Sequence, residues 1–276
     1  MHYLQTLLTV SFLQGLAHGQ DYVLWFQPGA QITRLASTML VPSVPPVNTG
    51  FHAIWPGLQP TDDSFVFQNV VDDDQPVGKW AYSTWYGPYD TAGDYYDYPT
   101  VPTTPGDSFI TDFEFYAPTT EWIDTYVLEP GTAGASAGET PSSGSLSPPA
   151  SGTTFPSSKT LTQALFVIEL QGSGAVWNFG SLTFTNIIIT ADTTSTAWCN
   201  SPAKSGSFTY TMTTPVATVV NGQVDCYIAE LVFVAPTGSS VQLGGAPFNG
   251  TVNNDQLCGR LSVCATNDYD YSTVAS

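Results

Sequence analysis

The run Ser64-Phe65-Val66-Phe67-Gln68-Asn69-Val70 alternates with the two-residue period of a β-strand. Phe65, Phe67 and Asn69 share one face, and Val66, Gln68 and Val70 share the other. The same rhythm recurs on both sides of it. Downstream, residues 80–86 alternate with aromatic side chains, and 109–115 and 122–128 alternate cleanly. Upstream, 51–55 is set off by Pro56-Gly57 and by Thr61-Asp62-Asp63, and 35–41 runs into Pro42-Ser43-Val44-Pro45-Pro46. Residues 163–170 and 181–190 complete the set. Short strands bounded by turn formers predict an all-β fold, an antiparallel β-sandwich. Composition agrees: 21 Pro and 24 Gly in 276 residues punctuate the chain too often for long helices.

Residues 131–160, GTAGASAGETPSSGSLSPPASGTTFPSSKT, interrupt the rhythm. Almost nothing there can bury apolar surface, so the stretch is expected to be a loop inserted in a sandwich core spanning 20–191. Residues 192–276 carry further strand-like runs at 207–213, 216–220 and 227–234 and are expected to complete or abut the sandwich, with a frayed tail after Ala265.

The first 19 residues read as an export signal. Leu7 to Leu13 form a short apolar run, and Ala17-His18-Gly19 is a small-x-small cleavage pattern. The mature chain then begins near Gln20 as a secreted, extracellular protein. The dozen or so residues before the first expected strand are assigned no element. No later stretch approaches the ~20 apolar residues of a membrane helix. Four cysteines in an exported chain imply disulfides, and Cys199–Cys226 with Cys258–Cys264 closes the shortest loops. Asn249-Gly250-Thr251 is a glycosylation acceptor.

The net charge of −18 argues against nucleic acid and anionic membrane as partners and suits work in acid. A polypeptide substrate or a neutral glycan fits better, taken by a monomer.

Elimination narrows the chemistry. Beyond the signal, His52 is the only histidine, so a histidine-built metal site and HExxH are excluded, and no GxSxG or phosphate-binding loop is present. No metal and no cofactor are expected. Carboxylate chemistry remains. Glu169 lies in the apolar run Ala164-Leu165-Phe166-Val167-Ile168-Glu169-Leu170, where burial would raise its pKa and suit it to proton transfer. Gln68 is likewise polar among Phe and Val. Asp72-Asp73-Asp74 reads as a solvated turn rather than a Ca²⁺ site, and residues 89–98 read as a tyrosine-rich surface loop with a sugar platform as the rival.

Between Arg34 and Ala191 the chain resembles the eqolisins, the fungal glutamic peptidases with a concanavalin A-like jelly roll. The likeness rests on the order of its pieces: Leu40-Val41-Pro42-Ser43, Ala53-Ile54-Trp55-Pro56-Gly57-Leu58, Val66-Phe67-Gln68-Asn69-Val70-Val71-Asp72, Tyr82-Ser83-Thr84-Trp85-Tyr86, Pro105-Gly106-Asp107-Ser108-Phe109, and Ala164 to Glu169 followed by Leu182-Thr183-Phe184-Thr185. The resemblance implies that Gln68 and Glu169 are the catalytic pair, with Glu169 as general base and Gln68 as oxyanion donor. It further implies that Trp55, Trp85, Tyr82 and Asp72 bind substrate. Gln59, Ser83 and Gly87 stand where that family carries acids. The rival reading is a carbohydrate-binding or glycoside-cleaving sandwich, motivated by 7 Trp and 14 Tyr.

Overall fold

The computed structural model describes residues 20–45, 50–73, 79–88, 96–97, 100–148, 160–172 and 174–238. The proposed signal, Cys258, Cys264 and Asn249 lie outside the described residues. The strands in chain order are β1 (Gln20–Phe26), β2 (Ile32–Leu40), β3 (Phe51–Gln59), β4 (Phe65–Asp72), β5 (Trp80–Pro88), β6 (Tyr96–Asp97), β7 (Val101–Thr103), β8 (Ser108–Tyr116) and β9 (Glu121–Glu129). A short helix α1 (Thr132–Ser136) precedes β10 (Ser142–Leu146), β11 (Gln163–Gln171) and β12 (Leu182–Ala191). The last are β13 (Ala203–Ser205), β14 (Thr209–Met212), β15 (Val216–Val220) and β16 (Gln223–Val234).

These strands form two antiparallel sheets, so the expected β-sandwich is what the chain folds into. The first sheet runs β13-β1-β11-β3-β4-β5-β6, with β7 also on β5. The second runs β10-β9-β8-β2-β12-β16-β14, with β15 also on β16. Aromatic side chains interlock across the gap between them. Phe67 of β4 lies 4.5 Å from Phe113 of β8, Tyr82 of β5 lies 4.2 Å from Phe109 of β8, and Phe166 of β11 lies 4.9 Å from Phe184 of β12. Each fully buried aromatic ring removes a large apolar area from water, which makes this layer the main source of stability.

Several sequence expectations need correction. Residues 131–148 are not all loop: α1 forms there, and β10 pairs in register with β9. Backbone hydrogen bonds rather than apolar burial order that edge, so composition gave no sign of it. Pro56-Gly57 is not a turn but the middle of β3, which continues to Gln59. β1 was missed, although Tyr22-Val23-Leu24-Trp25-Phe26 is plainly apolar, and it pairs with β11 along its whole length. Asp73 is not solvated. It is buried beside His52, accepting from the His52 backbone N–H at 2.8 Å and meeting Nδ1 at 2.8 Å. Beyond residue 191, β13 extends the first sheet and β16 lies beside β12 within the second. The expected Cys199–Cys226 disulfide is present and ties the residues before β13 to β16. Among the described residues no helix is long and apolar enough to cross a membrane.

A buried polar cluster bridges the two sheets. Asp124 of β9, 1% exposed, accepts from Asn69 Nδ2 at 2.8 Å and from the Thr84 hydroxyl at 3.0 Å. Tyr82 donates its hydroxyl to Asn69 Oδ1 at 3.0 Å. Burial pushes the Asp124 carboxyl up to about 7, against the lowering effect of the Asn69 and Thr84 hydrogen bonds. The folded form therefore keeps a proton that the unfolded chain releases above about pH 4, so stability falls as pH rises from about 4 to about 7 and then levels. Asp124's share of that fall reaches up to roughly 4 kcal/mol. Calorimetry of Asp124→Asn should show a melting temperature that declines less between pH 4 and 7 than in the parent protein. Parallel declines would remove Asp124 as a source of the pH dependence.

Candidate active site

The first sheet is buried on both faces. Leu24, Ile54, Phe67, Ile168 and their neighbours point into the sandwich, while a second apolar cluster covers the opposite face: Val23, Ala53, Trp55, Val66, Val70, Leu165 and Val167. Trp25, Phe51 and Trp85 pack around it, partly buried. Glu169 shares parity with Leu165 and Val167, and Gln68 shares parity with Val66 and Val70, so both stand on this outer face. Glu169 is 3% exposed and Gln68 is 5% exposed.

In register, Glu169 of β11 lies opposite Ala53 of β3, and Gln68 of β4 lies opposite Gly57 of the same strand. Trp55 occupies the step between them. Its Nε1 donates to Glu169 Oε2 at 3.1 Å. At its other end, the position a Cβ would take on Gly57 lies 3.2 Å from Trp55 Cε3 and 3.0 Å from Gln68 Cβ. The buried indole thus meets the carboxyl at one end and borders position 57, which the Gln68 side chain also borders, at the other. Any residue larger than glycine at position 57 would also press on the Phe67 carbonyl oxygen, 2.9 Å from that Cβ position. Gly57 is required by this close approach, not by a turn.

Glu169 has two described donors, Trp55 Nε1 on one oxygen and Gln171 Nε2 on the other. Burial nevertheless pushes its carboxyl up to about 7, helped by the negative charges of Asp21 and Asp72, while the two hydrogen bonds pull it down. The Gln68 side-chain oxygen is buried without a hydrogen-bond partner among the described residues. A carboxyl poised near neutrality can move a proton in a dry setting, and the Gln68 side-chain oxygen leaves an acceptor open to a donor on the same face.

Trp85 belongs to the same face, opposite Gln68, and its Nε1 donates to Ser83 Oγ at 2.5 Å. Ser83, standing where the resemblance leads one to expect an acid, orients that ring. Asp72 is also on this face, opposite Ala53. Tyr82 is not. It lies on the sandwich side of β5, buried against Phe109 and Tyr126, and its hydroxyl serves the Asp124 cluster. Strand alternation separates it from the outer face, which corrects its assignment to substrate binding. His52 is also on the sandwich side, fully buried with Asp73 and edge-on to Phe179. Gln59 donates to Gln163 and Asp63.

No model of a known protein family matches the chain. No curated protein matches its sequence. Among solved structures, scytalido-glutamic peptidase with a peptide-based transition-state analogue is 18% identical, covering 78% of this chain and 100% of that one at a TM-score of 0.44. The chain is similar to glutamic peptidases. SCP-B, described as a member of the Eqolisin family and solved with the tripeptide Ala-Ile-His, is 17% identical, with 77% and 98% of the chains covered and a TM-score of 0.40. Aspergilloglutamic peptidase from Aspergillus niger is 20% identical over 65% of this chain and 99% of its own, at a TM-score of 0.32.

Sequence reasoning missed Asp21 and Gln171. Gln171 follows Glu169 by two residues and so shares its face, a signal that alternation alone contained. Asp21 went unseen because β1 was not recognised as a strand. Among the described residues, no group of three or more His, Cys, Asp or Glu could hold a metal ion.

The Trp55 hydrogen bond favours the charged form of Glu169. In Trp55→Phe, ¹³C NMR of the glutamate carboxyls should place the Glu169 titration above about 7. A midpoint unchanged from the parent would show that the indole N–H does not tune this carboxyl.

Proposed function

We propose that this chain is a secreted hydrolase of polypeptides of the glutamic-peptidase type, a divergent relative of the eqolisins. The observation that carries this reading is the buried Glu169 carboxyl, hydrogen-bonded by Trp55 Nε1, on the same face of the sheet as the buried Gln68 amide. In its ionised form Glu169 takes a proton from a water molecule as that water adds to the peptide carbonyl carbon. The Gln68 amide N–H₂ donates to the oxygen that becomes negative. Glu169 then returns the proton to the nitrogen of the departing amine, and the C–N bond breaks. The roles suit their settings, because a base near its working pH and a preorganised donor in a water-poor site both gain from low dielectric. Trp25, Phe51 and Trp85 supply apolar surface beside the centre for substrate side chains. The excess of acids over bases favours neutral or cationic segments of polypeptide.

The overall charge suggests work in acid, but the buried carboxyl sets a different range. With Glu169 at about 7, the base form declines about tenfold for each pH unit below that point. Hydrolysis of a denatured protein by the purified chain should therefore follow an acid limb centred near pH 7. Glu169→Gln and Gln68→Ala should each reduce the rate by roughly 10²-fold or more. Full activity in Glu169→Gln would overturn the assignment. An optimum at pH 3 would show that the protonated carboxyl, rather than the carboxylate, begins the reaction.

A further inference from the structure

Glu169 does not stand alone on its face. Asp21 of β1 is its directly opposed partner in the β1–β11 register. Directly opposed residues of antiparallel strands hold their Cβ atoms about 4.5–5.5 Å apart, and like charges in that position repel. On the other side of Glu169 comes Ala53, a single methyl, and beyond it Asp72. Four neighbouring strands thus present Asp21, Glu169, Ala53 and Asp72 in one row. No Lys or Arg within a described strand of this sheet shares the face. Lys204 of β13 is opposite Leu24, a core residue, and its Nζ donates to the Phe208 carbonyl at 2.6 Å. β3 brings Phe51, Ala53, Trp55, Gly57 and Gln59 to the face, and β5 brings Ala81, Ser83 and Trp85, so Asp21 and Asp72 are the ionisable groups arrayed around Glu169 among the described strands.

Two opposed carboxyls with no cation between them cannot both ionise cheaply in a buried setting. We propose that Asp21 and Glu169 form one protonation unit, with Asp21 as the positioning residue whose negative charge holds the proton on Glu169 to higher pH and so sets where Glu169 becomes available as the base. This deepens the hydrolase reading above and rests on it for its catalytic meaning. Asp21 is only partly buried, whereas Glu169 is almost wholly enclosed, so Asp21 is the partner through which the unit meets solvent. Burial pushes Asp21 up to about 6, below Glu169 at about 7, so between those values Asp21 is ionised while Glu169 keeps its proton, and above about 7 Glu169 is freed to act as the base. Gln68, whose side-chain oxygen is buried without a partner among the described residues, stands on the same face, opposite Gly57 and outside this row.

The test is a ¹³C carboxyl titration of the full chain labelled at Asp and Glu, run beside a hydrolysis pH profile. The parent is compared with Asp21→Asn and with Asp21→Ser, a smaller neutral variant in case the first does not fold. Removing the Asp21 charge should lower the Glu169 midpoint by about one pH unit, and the acid limb of hydrolysis should move down in step. Asp21→Glu should restore most of the shift. A Glu169 midpoint that stays put in both neutral variants overturns the proposal, even if hydrolysis still depends on Glu169. A midpoint that moves in a protein without hydrolytic activity upholds the pair and removes the peptidase reading instead.

Discussion

The burial of both faces of β11 is the constraint on which the rest of the structure depends. Every residue from Gln163 to Leu170 is buried, although successive side chains point in opposite directions. One face meets the second sheet through Phe166 and Phe184; the other lies under the Val23, Trp55, Val66 and Leu165 cluster. A strand buried on both sides has no water to solvate a polar group, so any carboxyl on it must be protonated, hydrogen-bonded or both. Glu169 is held in that condition by Trp55 and Gln171, and its raised pKa follows from its position in the sheet.

That constraint extends to the neighbouring strands. β3 delivers Trp55 to the middle of the outer face and then needs a residue without a Cβ, because the Phe67 backbone, the Gln68 side chain and the indole all crowd position 57. Pro56 beside it withholds one N–H from the ladder, an unusual feature in a central strand, and the β3–β4 pairing breaks off after Ile54 and resumes at Gly57. On the sandwich side, the same economy of donors appears around Asp124, where Asn69 and Thr84 of one sheet meet a carboxyl of the other. Asn69 and Gln68 are consecutive residues facing opposite ways. The one serves the bridge between the sheets and the other serves the outer face, so β4 couples the packing of the sandwich to the geometry of the site.

Among the described carboxyls, Asp21, Asp124 and Glu169 are pushed by burial up to about 6 or 7, in a chain with few bases to neutralise them. All three have pKa values raised by burial, and all three favour the folded state more strongly at low pH than at neutral pH. A protein so built gains stability in acid, while its candidate base becomes available only as the pH climbs. Stability and proton transfer are set by the same desolvation, and they draw on it in opposite directions.

Period-two alternation and frequent turn formers were enough to predict an antiparallel β-sandwich, and the apolar run around Glu169 was enough to single out that carboxyl. The local pairing of Cys199 with Cys226 was legible for the same reason, since proximity in sequence limits what a disulfide can join. Pro56-Gly57 misled because the sequence marks a special backbone without saying whether it turns or is merely crowded. Tyr82 was placed on the wrong side because a motif gives identity, whereas facing depends on register. Asp21 lay hidden because β1, apolar as it is, shows its neighbour only through pairing with β11, about 150 residues away, and pairing between distant segments leaves no mark in either one alone. Residue type and local rhythm belonged to the sequence by itself; which carboxyl faces which, and at what cost in solvation, was decided only when the strands came together.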